Sequence, residues 1–282
     1  MGIDSHGLNL LRYARLSGEF GHTVMIGRQN VHESALNTQL SKRRPSQLPY
    51  GPFAEELLME EFGASKIDSV DYSDFEGATI LHDMNKPLST DLRSSFQTVM
   101  DYGTLEHVFD VAQALKNVNA LCDKDGGRIL HVLPANNQCG HGFWQFSPEL
   151  FFSLYSEENG FKNTEIFIAS LINEKVWFRA IKPPAGQRLN IVSKERLYVL
   201  VLTTKTANSK NLVVQQSDYV AAWDLVHMKP ADVPRSIIAK GRQAIRRWYK
   251  KYVLQGITLS QRFGKNHRYL QRVIIADILG LP

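Results

Sequence analysis

Residues 101–161 constrain the fold more than any other stretch of the chain. An apolar run at 96–101 leads into Asp101-Tyr102-Gly103-Thr104-Leu105-Glu106-His107, followed by about twenty helix-compatible residues. Gly126-Gly127 then opens a second apolar run at 128–133, which ends in Pro134-Ala135-Asn136-Asn137, and Asn159-Gly160-Phe161 closes the stretch. A strand, a crossover helix, a glycine turn and a second strand make a βαβ unit with parallel strands. Such units build doubly wound sheets, which bind ligands outside the carboxyl ends of their strands. Both carboxyl ends here are polar, so 101–107 and 134–141 fall on the edge where a site forms.

The rest of the chain supplies more of the same alternation. Residues 22–27 read as a first strand ending in Gly27, and 53–62 as an amphipathic helix stopped by Gly63. A second strand at 66–71 ends in Asp71. A third at 78–82 runs into His82-Asp83-Met84-Asn85. The runs at 96–101 and 128–133 are the fourth and fifth strands, with a sixth at 164–171 and a seventh at 197–203. A short helix occupies 8–16. Ser147-Pro148 opens another that runs to about residue 158, with Asn159-Gly160 as its stop. Residues 30–49, which contain Lys42-Arg43-Arg44-Pro45, read as a loop or lid, and 182–186 as a loop. The expectation is an α/β domain over 1–204, built on a doubly wound, mostly parallel, seven-stranded sheet. A basic helical C-terminal extension would occupy 205–282.

Composition narrows the functional classes. With 282 residues, 43% hydrophobic and 22% charged, the chain is typical of soluble domains, and no apolar run reaches the roughly 18 residues of a membrane span. The first sixteen residues carry Asp4, His6, Arg12 and Arg15 without an apolar core, unlike a secretory signal. The two cysteines, Cys122 and Cys139, make no disulfide framework, and a cytoplasmic location is expected. Twelve of the 33 basic residues but only two of the 28 acidic ones fall in 228–282, leaving 21 basic against 26 acidic residues elsewhere. On a helical wheel 237–252 separates Ile237, Ile245, Trp248 and Tyr252 from Lys240, Arg246, Arg247, Lys250 and Lys251. Such a helix packs on the body with its charged face in solvent, or docks through 230–282 on an anionic membrane or a lipid-linked substrate. Nucleic-acid binding is the weakest of the readings, since no RNA-binding motif occurs elsewhere.

The order of elements, and above all the Leu105-Glu106-His107 turn after strand four with His141 and Asn159-Gly160-Phe161 downstream, resembles class I S-adenosylmethionine-dependent methyltransferases of the small-molecule group. The resemblance covers about residues 20–204. It implies that S-adenosyl-L-methionine is the cofactor. It assigns Asp71 to the ribose hydroxyls, Asp83 to the adenine amine, and Asp101, Tyr102 and Gly103 with Glu106 and His107 to the methionine and acceptor side. The loop after strand one departs from the family's several glycines, having only Gly27 followed by Arg28-Gln29-Asn30. Gly27 lets backbone approach a ligand, and Arg28 could hold the cofactor carboxylate in a charge-assisted fork.

His141, between Gly140 and Gly142 and ahead of Phe143-Trp144, is the foremost candidate general base, with Glu106 and His107 as further catalytic candidates. Asn136, Asn137 and Gln145 could bind a polyhydroxylated acceptor. The sequence carries no metal-ligand spacing, and no metal is assigned. The expected activity is methyl transfer to an oxygen or nitrogen of a small polar acceptor, such as a sugar, glycan or natural-product precursor. The alternative is a non-catalytic methyltransferase-like module acting through the basic tail.

Overall fold

A computed structural model describes residues 2–32, 35, 53–184, 187–207, 212–217, 220 and 269–281. The basic helix expected at 237–252 and most of the lid expected at 30–49 lie outside these residues.

The centre of the molecule is a nine-stranded sheet. Its strands are β2 (Gly21–Ile26), β4 (Ala64–Asp71), β5 (Ile80–Leu81), β6 (Thr98–Asp101), β7 (Arg128–Asn136), β8 (Phe161–Ser170), β9 (Val176–Ala180), β10 (Leu197–Lys205) and β11 (Leu270–Ile274). They lie in the order β11-β9-β8-β10-β7-β6-β2-β4-β5. A two-stranded parallel pair, β1 (Gly2–Ile3) with β3 (Asn30–Val31), stands apart. From β2 the chain steps outward through β4 to β5, then returns to β6 on the other flank of β2 and steps outward again to β7. The reversal puts a switch point between β2 and β6, the position at which a doubly wound sheet opens a crevice. The fold is therefore the Rossmann-like α/β fold that the sequence implied.

Two expectations are corrected. The sheet has nine strands rather than seven, because Val176–Ala180 and Leu270–Ile274 pair antiparallel at its far edge. Parallel pairing is confined to β5-β4-β2-β6-β7, and the four remaining junctions are antiparallel. The boundary at 204 also needs amending, since residues 270–279 come back to the body. Strand β11 lies on β9, and the short helix that follows it, Ile275–Leu279, packs against the first helix.

Strand alternation sends successive side chains to opposite faces, and each face is covered. Val24, Ile26, Val99, Ile129 and Leu133 point to one side, where helices α3 (Val111–Leu121) and α4 (Pro148–Leu154) bury them. Met25, Met100, Leu130 and Val132 point to the other, beneath α1 (Ser5–Arg15), α2 (Glu55–Phe62) and α5 (Ile275–Leu279). Helix α1 begins where the Asp4 side chain accepts from the Gly7 amide at 2.8 Å. Helix α2 carries Glu55 and Glu56 in its first turn and stops at Gly63, whose φ of 69° is left-handed. Helix α4 ends at Leu154, short of the expected 158. A 3-10 turn over Glu157–Asn159 leads to Gly160, while the Asn159 amide pins three carbonyls.

Candidate functional site

The carboxyl ends of β2, β4 and β5 and the turn after β6 surround a cavity of about 330 Å³. That lies at the small end of the range for ligand pockets, roughly 300–1,000 Å³. Gly27, Arg28, Gln29, Asp71, Asp83 and His107 line it, together with Tyr72, His82, Met84, Asn85, Thr104 and Val108 among others.

Gly27 turns the chain out of β2 with φ of 72°, and its amide donates to the Val70 carbonyl at 2.7 Å. Thr104 comes so close that a Cβ at position 27 would stand 2.5 Å from its Oγ1. The same Oγ1 donates to the Ile26 carbonyl at 2.6 Å, locking the turn after β6 against the end of β2. Behind the turn, the Gln29 amide nitrogen is held by the Ile26 and Gly27 carbonyls. Gln29 Oε1 is left buried without a hydrogen-bond partner among the described residues. An orphaned buried acceptor lining a cavity suits a ligand that brings a donor.

Asp71 ends β4 at the cavity wall, with one carboxylate oxygen accepting from the Tyr72 amide at 2.6 Å. Asp83 follows β5, and its Oδ1 accepts from the Asn85 backbone amide and from Asn85 Nδ2. These hydrogen bonds, the Asn85 side chain's first among them, hold the Asp83 carboxyl below its ordinary value. Both acids thus stand on the cavity, and their carboxylates with Gln29 Oε1 make an acceptor set that fits the hydroxyl and amine donors of a nucleoside ligand. Arg28 is differently engaged. Its Nε donates to Glu55 at 2.7 Å, its Nη1 to the Glu76 carbonyl at 2.6 Å, and its guanidinium lies 3.8 Å from the centre of the Phe53 ring. A guanidinium so occupied is not offered as a fork to a cofactor carboxylate, which corrects that expectation.

Asp101 and Tyr102 are also corrected. Asp101 is fully buried. Its Oδ1 accepts from the Thr104 and Leu105 amides at 3.1 and 3.3 Å, and its Oδ2 pairs with His131 Nδ1 at 2.8 Å. His131 Nε2 meets the Tyr155 hydroxyl at 2.6 Å, completing a sealed chain of three groups. Tyr102 is buried toward α1, its hydroxyl donating to the Gly7 carbonyl at 3.4 Å. Neither side chain lines the cavity. Asp101 instead caps the turn from below and so positions Glu106 and His107. Gly103 supplies the turn's left-handed residue, with φ of 92°.

The three catalytic candidates do come together, beside the cavity. Glu106 is 1% exposed, whereas His107 and His141 are 43% and 50% exposed. Glu106 Oε1 lies 3.3 Å from His141 Nε2 and 3.9 Å from His107 Nε2, and the two imidazole centres are 5.3 Å apart. Glu106 Oε2 has no hydrogen-bond partner among the described residues. Burial first, and then the charge of Asp101, pushes the Glu106 carboxyl up to about 8. Burial, and then the neighbouring His141, lowers His107. The His141 loop is fastened to Glu106 through its backbone, since the Phe143 and Trp144 amides donate to the Glu106 carbonyl at 2.6 and 3.3 Å. Gly142, at φ 70°, passes so close that a Cβ would stand 2.7 Å from that carbonyl.

Of the amides expected to meet an acceptor, Asn137 is spent on the Ser193 and Glu195 carbonyls, and Gln145 Oε1 on the Gln138 amide. Asn136 Oδ1 is buried without a partner among the described residues. Sequence reasoning passed over Gln29, Thr104 and Tyr72. Gln29 and Tyr72 directly follow singled-out positions, Arg28 and Asp71, and a full reading of each strand-end turn would have reached all three.

No family model matches the chain, and no curated protein matches it. Solved structures do resemble it. A methyltransferase from Thermotoga maritima, described as a possible histamine N-methyltransferase, is 16% identical over 72% of this chain and 90% of its own, with a TM-score of 0.38. A putative methyltransferase from Bacillus halodurans is 12% identical over 71% of this chain and 99% of its own, also at 0.38. The branched-chain polyamine synthase of Thermus thermophilus is 12% identical over 75% of this chain and 59% of its own, at 0.37. Likenesses at these scores say nothing of activity, and the fold assignment rests on strand order and switch point. No described helix is long and apolar enough to cross a membrane.

Proposed function

We propose that the protein transfers a methyl group from S-adenosyl-L-methionine to an oxygen or nitrogen of a small polar acceptor. One observation carries the reading: Gly27, Asp71 and Asp83, the positions that the sequence resemblance gives to the cofactor, converge on one cavity at the switch point of the sheet. When bound, the cofactor supplies a methyl group on a positively charged sulfur, which leaves as the neutral thioether while the acceptor atom gains the methyl and loses a proton.

The protein's part is to hold two ligands in register and manage that proton. Asp71 accepts from the ribose hydroxyls, Asp83 from the adenine amine, and Gln29 Oε1 takes a further donor. The acceptor's proton leaves at the Glu106–His107–His141 cluster, on the His107 side of the cavity. Phe109 and Phe143, two residues beyond His107 and His141, are both exposed and meet edge to face at 6.5 Å. An apolar platform beside a polar cluster suits an acceptor with an apolar face and hydroxylated edge, which supports a sugar, glycan or natural-product precursor.

The test is transfer of labelled methyl from S-adenosylmethionine across a panel of sugars, nucleotide sugars, phenols and amines. Acceptor-dependent labelling is expected. In His141→Ala, kcat should fall about 10²–10⁴-fold with cofactor affinity within about threefold of the parent. Loss of cofactor affinity with turnover unchanged would contradict the assignment of His141 to the acceptor side.

A further inference from the structure

We propose that Glu106, His107 and His141 bind one divalent transition-metal cation, the carboxylate giving one oxygen and each imidazole one nitrogen. The sequence held no such signal, because positions 106, 107 and 141 match no metal-binding spacing. The fold supplies what the spacing lacks. Closure of the loop after β7 onto the turn after β6 brings one ligand atom from each of the three residues within 4.8 Å of the others.

Geometry and chemistry agree. Tetrahedral ligands held at about 2.1 Å from a metal stand about 3.4 Å apart. Glu106 Oε1 and His141 Nε2 are already 3.3 Å apart, and His107 Nε2 is 3.9 Å from the same oxygen. Both imidazoles are half exposed, so a modest rotation of each closes the set without moving the backbone. Glu106, by contrast, is fixed and sealed, with Oε2 lacking a partner among the described residues. Oε1 faces both imidazoles while Oε2 stays buried and unmatched among the described residues, a second, independent sign of a missing ligand. The backbone bonds from Phe143 and Trp144 to the Glu106 carbonyl hold the two segments together in advance.

The donor set selects the kind of ion. Two imidazoles and one carboxylate suit Zn²⁺ and its first-row neighbours, whereas Mg²⁺ and Ca²⁺ prefer oxygen throughout. Three protein ligands leave at least one coordination position open, as in catalytic rather than structural sites. His107 lines the cavity, so an open position faces it. An acceptor hydroxyl entering that position would lose its proton more readily. That consequence rests on the methyl-transfer reading, but binding of the cation does not.

The full chain, without an affinity tag and stripped with a chelator, should be titrated with Co²⁺ by visible absorption and with Zn²⁺ by calorimetry. One ion per chain is expected, with binding at least about 100-fold weaker in Glu106→Gln and His141→Ala. His107→Gln, on an exposed side chain, provides a variant that should fold even where the others do not. Circular dichroism of each metal-free variant confirms which ones are folded. No saturable binding, or binding of parent strength in the folded variants, would overturn the site. Titration of the stripped protein with S-adenosylmethionine separates the two proposals. Cofactor binding without cation binding sinks the metal site alone, and cation binding without cofactor binding sinks only the methyl-transfer reading.

Discussion

Two carboxylate–histidine clusters lie within a few residues of each other, and they are built in opposite ways. Asp101, His131 and Tyr155 form a sealed chain in which both carboxylate oxygens and both ring nitrogens have partners. Glu106, His107 and His141 form an open one, with a buried carboxylate oxygen unmatched and two imidazoles reaching solvent. A satisfied buried network stabilises and orients what lies above it, and a ligand cannot enter it without breaking it. An unsatisfied cluster at the ligand edge of a sheet is poised to take up something from outside. The resemblance alone would have given Asp101 and Glu106 similar roles, whereas burial and hydrogen bonding separate them.

The contrast can be broken most forcefully at Asp101. Asp101→Ala leaves His131 buried with one partner and removes the cap on the Thr104 and Leu105 amides. It should cost about 3–5 kcal/mol in urea denaturation, the range for breaking a buried pair. Loss of less than about 1 kcal/mol would mean that the sealed network is not structural. Next in size are two changes of about 1–3 kcal/mol. Tyr155→Phe strips His131 Nε2 of its hydroxyl partner. Gly142→Ala forces a side chain into left-handed backbone and against the Glu106 carbonyl, and it should also displace His141. Thermal midpoints, falling roughly 2–4 °C per kcal/mol, check both.

Glu106→Gln sharpens the comparison from the other side. Its carboxylate already lacks a partner on one oxygen, so stability should stay within about 1 kcal/mol of the parent while methyl transfer falls. A loss as large as that of Asp101→Ala would erase the distinction between the clusters. The smallest effect concerns the cysteines. Burial pushes the Cys122 thiol up to about 12, whereas Cys139 is exposed in the His141 loop. A thiol reagent at about pH 8 should modify one cysteine in the native protein and two in denaturant. Two fast reactions in the native state would place the Cys122 region outside the core.

Much of the architecture was legible because it depends on local pattern. The runs at 22–27, 96–101 and 128–133 supply the parallel strands β2, β6 and β7, which are buried on both faces, and such strands announce themselves. Asp71 and Asp83 both reach the cavity because one ends β4 and the other lies two residues beyond the end of β5. What escaped notice depends on partners distant in sequence. Strand β9 is five residues among charged and proline-rich neighbours, and its partner β11 comes ninety residues later. Arg28 looked free because Glu55 reaches it only through the packing of α2. Asp101 looked available because His131, thirty residues on, reads in sequence as one more strand residue. The Glu106–His141 contact spans thirty-five residues and leaves no periodic trace.

The central claim is that the switch-point cavity binds S-adenosylmethionine with Asp71 on its ribose. Calorimetric titration of the purified chain with S-adenosylmethionine and with its demethylated product tests it most directly. The account predicts micromolar binding of both, weakened at least about tenfold by Asp71→Ala, as expected for loss of a charge-assisted hydrogen bond of about 1.5–3 kcal/mol. Absence of binding to either ligand in the folded protein, or binding indifferent to Asp71→Ala, would contradict it.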